Sequence, residues 1–250
     1  MSTALIGVNT TYLFLAFLPP IVWLLFYLRE DNHPEPKHLL LLTFVGGMAS
    51  AVAAIFGECI LVSAAGGSCK EGLTETVNPL ILFFGIALIE EYVKYLAVKC
   101  VILRRKDFNE PVDAMIYMMT SALGFAALEN ALFVFPLLQT NFFSGIEVAT
   151  SRFLGANLLH ALSSGIVGFF LARAWFHPKR HHFVLLGILL ATLLHTAFNY
   201  LILVKEVLPQ GPSYLIFLLS LAAVIIFIDF EKLKKEEAEK DVMNYPQKEM

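Results

Sequence analysis

The stretch GIALIEEYVKYLAVKC, residues 85–100, sets Glu90, Glu91 and Lys94 in the middle of an apolar run. Whether these are surface charges on a soluble helix or ionisable groups inside a membrane decides the fold. The rest of the chain answers that question. Of its 250 residues 58% are hydrophobic and 16% charged, with a mean hydropathy of +0.70, where soluble domains carry roughly a quarter charged residues. The composition is that of an integral membrane protein. The net charge of -3 says little about partners, because the charges sit in connectors, in a tail and at a few points inside the apolar segments.

Apolar segments run near 11–28, 39–64, 79–103, 112–136, 148–176, 183–204 and 214–230, most of them long enough for a hydrocarbon core that needs about 20 helical residues. The expected fold is all-α, a polytopic bundle of about seven spans. Between the segments lie connectors with loop chemistry, such as REDNHPEPKH, RRKDFNEP and KEVLPQGPS. None could hold a second domain, so residues 1–230 read as one membrane domain and 231–250 as a charged tail. The tail's EKLKKEEAEKD is expected to continue the last span as a short solvated helix.

Lys and Arg alternate between connectors, and cytoplasmic loops retain positive charge. The N-terminal stretch has none, the first connector Arg29 and Lys37, the second only Lys70, the third Arg104, Arg105 and Lys106, and the fourth none. The fifth has Lys179 and Arg180, the sixth only Lys205, and the tail several. The expected topology has the N-terminus outside and the C-terminus in the cytoplasm. The first segment lacks a basic leader and a small-residue cleavage site, so it reads as a retained span. Cys59 and Cys69 fall near the outer surface, where a disulfide is permitted, and Cys100 falls near the cytoplasmic side.

Depths follow from a rise of 1.5 Å per residue, counted from the outer end of each span. They are roughly 16 Å for Glu90, 12 Å for Glu129, 18 Å for His160 and 14 Å for His195. Four consecutive spans thus bring an ionisable group to one layer. Each has a bland alternative: an ion pair of Glu90 and Glu91 with Lys94 at i+4 and i+3, an interhelical hydrogen bond for Glu129, a satisfied core imidazole for each histidine. Intramembrane ionisable residues nevertheless mark functional sites by default.

Uncompensated carboxylates in hydrocarbon cost several kcal/mol each, and Glu90, Glu91 and Glu129 together outweigh Lys94. Two solutions stay open. A divalent cation could close the balance, with His160, His195 and a Glu as a zinc-type ligand set. Alternatively the crowded carboxyls share a proton and one acts as a general base without metal. Asn199 lies one turn beyond His195 on the same face, where an imidazole and an amide could meet a developing oxyanion. Ser163 and Ser164 follow His160, but no G-x-S-x-G elbow surrounds them.

The order EE-x-x-K at Glu90, Glu91 and Lys94, EPVDAMIY with Asp113, F-x-x-x-E-N at Phe125, Glu129 and Asn130, then His160, and H-x-x-x-N at His195 and Asn199 resembles the PrsW family of intramembrane proteases. The resemblance covers about residues 79–200. The family looks distantly related to the CAAX prenyl endopeptidases, in which a Glu of an EE motif helps activate water and a late H-x-x-x-N supports the oxyanion. Here Lys94 replaces a later Arg, and Glu129 stands where those enzymes have a His.

The resemblance implies a bacterial or archaeal plasma-membrane endopeptidase that cleaves single-span membrane proteins such as anti-sigma factors. Its partners are then a substrate and the bilayer, not nucleic acid. The expected site has Glu90, Glu91, Glu129, His160, His195 and Asn199 in catalysis and Lys94, Asn130 and Asp113 in support, with zinc held by Glu129, His160 and His195 in the metal version. The cavity is expected to open outward. H-E-x-x-H, GxGD and GxSG are all absent. The competing classes are a proton-coupled transporter, for which repeated halves and Gly/Pro-broken helices are lacking, and an inactive membrane scaffold.

Overall fold

The computed structural model describes residues 2–68, 78–175 and 180–244. They form α1 (Ser2–Tyr27), a short 3-10 turn at Leu28–Glu30, α2 (Lys37–Ala64), α3 (Pro79–Val101), α4 (Pro111–Thr140), α5 (Phe142–Leu154), α6 (Ala156–Trp175), α7 (Arg180–Val204) and α8 (Gly211–Asn244). Among the described residues, six helical stretches are long and apolar enough to cross a membrane. The third expected span, α3, is not among them but has the length at 23 residues. What sets it apart is that Glu90, Glu91 and Lys94 lie within it, all buried inside the bundle.

The fifth expected span is not one helix. It breaks at Gly155, whose φ of -108° and ψ of -82° separate α5 from α6, and α5 starts upstream of the expected boundary, with the Asn141 carboxamide oxygen accepting from the Phe143 and Ser144 N–H groups. Glycine's low helix propensity permits the break.

The centre of the bundle is α4. Every residue from Pro111 to Ala127 is buried, the mark of a helix enclosed on all sides. It can be enclosed because its neighbours come close: a Cβ at Gly47 of α2 would sit 1.9 Å from the Ser121 carbonyl oxygen, and one at Gly124 would sit 2.0 Å from that of Phe44. Two glycines therefore let the α2 and α4 backbones touch, the small-residue contact by which membrane helices pack. The outside is apolar, with Phe56, Ile60, Ile81, Leu185, Ile216 and Phe217 exposed, as a lipid-facing surface requires.

At one end of the bundle the polar groups are structural. Asp113 starts α4, its Oδ2 accepting the Asn109 and Glu110 N–H groups at 2.9 and 2.8 Å, and Tyr117 donates to Glu35 at 2.5 Å. The tail continues α8 as expected, but it is anchored. Lys234 bonds Glu30 at 2.6 Å and Glu231 at 2.9 Å, and Glu236 bonds Arg173 at 2.8 Å. Cys59 is disulfide-bonded and Cys100 is free; Cys69 lies outside the described residues.

Candidate active site

Helix α3 delivers the centre of the site. Asn78 accepts the Leu80 N–H and Pro79 opens the first turn, so the helix begins at a defined residue and its register fixes where Glu90 and Glu91 point. Neighbours on a helix differ by 100° of rotation, and these two carboxylates accordingly enter different surroundings.

Glu91 is fully buried and has no acceptor to spare. Its Oε1 accepts from Lys94 Nζ at 2.9 Å, from Ser163 Oγ at 2.9 Å and, from the nitrogen facing it, His195 Nδ1 at 2.9 Å. Its Oε2 accepts from Ser164 Oγ at 3.0 Å. The two serines therefore serve as donors to a carboxylate. Because His195 Nδ1 carries the proton toward Glu91, its Nε2 is left as an acceptor.

Glu90 is different. Its Oε2 stands 3.5 Å from Lys94 Nζ, 3.8 Å from His195 Nε2 and 3.9 Å from His160 Nδ1, wider than the 2.7–3.2 Å of ordinary hydrogen bonds. Lys94 donates to His160 Nδ1 at 2.8 Å, so His160 Nε2–H donates in turn to Glu129 Oε2 at 2.7 Å. Lys94 also rests 4.4 Å from the centroid of Phe125, which gives that motif phenylalanine a packing role.

Glu129 does not stand alone. Arg152 Nη2 donates to its Oε2 at 2.7 Å and Arg152 Nε to Asn130 Oδ1 at 2.6 Å. Asn130 donates to the Ala16 carbonyl and to Asn157 Oδ1 at 3.1 and 3.0 Å, tying α1 and α6 to α4. Arg152 comes from α5, and the break at Gly155 is what frees that helix to present it.

These groups border a cavity of about 530 Å³. Glu90, Glu129, His160 and His195 line it together with Asn199, Arg152 and Glu58. Its walls are apolar, with Ile55, Phe83, Ile86, Leu132, Phe198 and Ile202 among them. Along each of α2, α4 and α7 the lining runs from mid-helix toward the C-terminal end, so the cavity extends toward the end of the bundle opposite Asp113.

Several expectations can now be compared with this geometry. Glu90, Glu129, His160 and His195 converge on one cavity, as their similar depths led one to expect, and Asn199 lines it beside His195. Glu91 and Lys94 lie behind it and Asn130 beside it, as hydrogen-bond partners. Asp113 is not in the site. It lies sixteen residues before Glu129 on α4, about 24 Å away along the axis, where it holds the helix start. The carboxylate grouped with both imidazoles is also not Glu129. One donor atom each from Glu90, His160 and His195 lie within 4.8 Å of one another, while Glu129 is occupied by Arg152. Two residues went unnoticed in the sequence, Arg152 and Glu58. Both are charges inside apolar segments, the signal that singled out Glu90.

The set of two imidazoles and one carboxylate is the donor chemistry of catalytic zinc. The His195 Nδ1–H to Glu91 bond is the orienting contact metal-bound histidines habitually make. The residues therefore fit a divalent cation.

The family model described as PrsW family intramembrane metalloprotease matches residues 35–228. The chain is 33% identical over 182 residues to a protein named Protease PrsW from Geobacillus kaustophilus, covering 72% of this chain and 74% of the relative. It is 26% identical over 229 residues to a Clostridioides difficile protein of the same name, at 89% and 90% coverage, and 27% identical over 181 residues to the Bacillus subtilis one, at 71% and 75%. No solved structure gives a significant match. With six apolar spans and bacterial relatives, the protein is a multi-pass integral membrane protein of the plasma membrane. It belongs to the PrsW family of intramembrane proteases.

Proposed function

We propose that Glu90 is the general base of peptide hydrolysis at the floor of the cavity. The observation that carries this is the contrast between neighbours: Glu90 Oε2 keeps its polar contacts at 3.5–3.9 Å and faces the cavity, whereas both Glu91 oxygens are taken. A base must stand within reach of the proton it removes, and only Glu90 leaves room for a water. Glu90 takes a proton from the attacking water and returns it to the leaving amine. Glu91 is a positioning residue that sets the His195 ring through Nδ1. Asn199, one turn from His195 and lining the same cavity, donates to the oxyanion with Arg152 beside it. Glu129 fixes His160 from the side opposite Lys94.

In a metal-bound version Glu90, His160 and His195 would hold a divalent cation, zinc by their donor chemistry, which would polarise the scissile carbonyl and acidify the attacking water in place of Glu90 as the free base. Lys94 steadies Glu91 in either version.

The substrate class proposed is a single-span membrane protein, an anti-sigma-factor-like regulator cut in a first, site-1-type step. Residues 1–230 act as one domain, with 231–250 as a cytoplasmic tail. The cavity opens away from the cytoplasm, because the connectors at its mouth carry few cations and those at the other end hold Arg104, Arg105 and Lys106. The test is cleavage of a labelled single-span substrate in proteoliposomes. Wild type cleaves and Glu90→Gln does not; near-normal turnover by the variant overturns the assignment.

A further inference from the structure

One ionisable group in the cavity is left over. Glu58 lines it from α2, on the stripe Ala51, Ile55, Glu58, whose spacings of four and three keep one helix face toward the cavity. Lys94 is taken by Glu91 and His160, and Arg152 by Glu129 and Asn130. No basic side chain of the site remains for Glu58, and it has no hydrogen-bond or ion-pair partner among the described residues. A half-buried carboxylate bordered by Ile55, Phe83 and Ile86 is costly without a counter-charge, and the cavity it faces is where the substrate enters.

We propose that Glu58 is a specificity residue that receives a basic side chain, lysine or arginine, of the substrate. The inference rests on the active-site reading above and names a feature of the substrate that reading leaves open. The register follows from the helices. Gly57 of α2 packs on Ile89 of α3 and Leu61 on Gly85, so Glu58 stands level with residue 88, two residues or about 3 Å shallower than Glu90. An extended substrate advances about 3.3 Å per residue. The basic residue therefore stands about one position from the scissile bond, toward the mouth.

The discriminating experiment uses full-length protein in proteoliposomes and a panel of single-span substrates, identical except for lysine, glutamine or glutamate scanned through the five positions on the mouth side of the cut. Wild type is expected to cleave the substrate with lysine at the first position on the mouth side at least about tenfold better in kcat/KM than the glutamine one, the ratio a close charge pair supports. That preference should vanish in Glu58→Gln, persist in Glu58→Asp and reverse toward the glutamate substrate in Glu58→Lys. Each comparison is a ratio within one variant, so altered folding yield cancels. Wild-type cleavage without dependence on charge overturns the Glu58 proposal and leaves the active-site reading standing. Failure of wild type to cleave any member of the panel overturns both.

Discussion

Helix α4 carries a polar cluster at each end, and the two are built from similar residues for different ends. Near its start, Asp31, His33, Glu35, Glu110, Asp113 and Tyr117 meet where the 31–36 connector packs on the helix. Toward the other end Glu129 and Asn130 join Glu90, His160, His195 and Arg152. Both clusters are rich in carboxylates, and each contains a group of His and Glu close enough to hold an ion. The difference lies in what the carboxylates face. Asp113 accepts two backbone N–H groups and Glu35 a tyrosine hydroxyl, contacts that hold a helix start to a connector. Glu90 faces a cavity. A reactive site needs an acceptor left partly unfilled beside a space large enough for substrate, and carboxylate density alone does not mark one.

The largest effect that sharpens this comparison is removal of an imidazole. His160→Ala and His195→Ala are each expected to lower cleavage by about 10³-fold or more and to lower bound zinc in parallel, since a three-ligand site that loses one ligand holds the ion poorly. Elemental analysis beside the cleavage assay measures both. Active wild type without stoichiometric metal would assign the two histidines to orientation, leaving Glu90 as the base. Asn199→Ala should cost less, about 10²–10³-fold in turnover, the cost of one oxyanion donor. It should keep its metal.

Substitutions in the other cluster should separate stability from activity. Asp113→Ala removes the acceptor for two N–H groups and should cost about 1 kcal/mol of stability, as loss of a helix cap does, with cleavage within about twofold of wild type per folded molecule. Thermal unfolding followed beside turnover decides it; loss of catalysis out of proportion to stability would return Asp113 to the active site.

The smallest effect is on pH. Burial, reinforced by the neighbouring Asp113 carboxyl, pushes Glu35 up to about 8 from an ordinary 4.5. A folded-state value above the unfolded one means that the folded protein holds the extra proton. The stabilisation is then complete below about pH 4.5 and is lost progressively as pH rises through about 8. Glu35→Gln should flatten that decline between pH 5 and 8 in a thermal-shift series. An unchanged slope would remove Glu35 from the account.

The comparison also explains what was legible in the sequence. The spans and the layer of ionisable residues follow from composition and helical periodicity, which act locally along the chain, and the family resemblance from the order of its motifs. Asp113 was misplaced because a motif read in sequence order carries no distance, and about 24 Å of helix separates it from Glu129. Arg152 was missed because its segment read as one continuous span; the break at Gly155 turns α5 so that its arginine meets Glu129. Glu58 was passed over because it has no nearby partner in sequence to draw attention to it. The division of labour between Glu90 and Glu91 could not be read at all. It depends on Ser163, Ser164 and His195 arriving from two other helices.

That division is the central claim, and turnover measured together with thermal stability for Glu90→Gln and Glu91→Gln tests it most directly. Both variants should lose cleavage. With no cation bound, Glu90→Gln should unfold at the wild-type temperature, because its carboxylate makes only loose contacts. Glu91→Gln should be destabilised by about 3 kcal/mol or more, because it leaves the Lys94 ammonium in a buried site without its close counter-charge. Near-normal turnover in Glu90→Gln, or equal destabilisation of the two variants, would contradict the account.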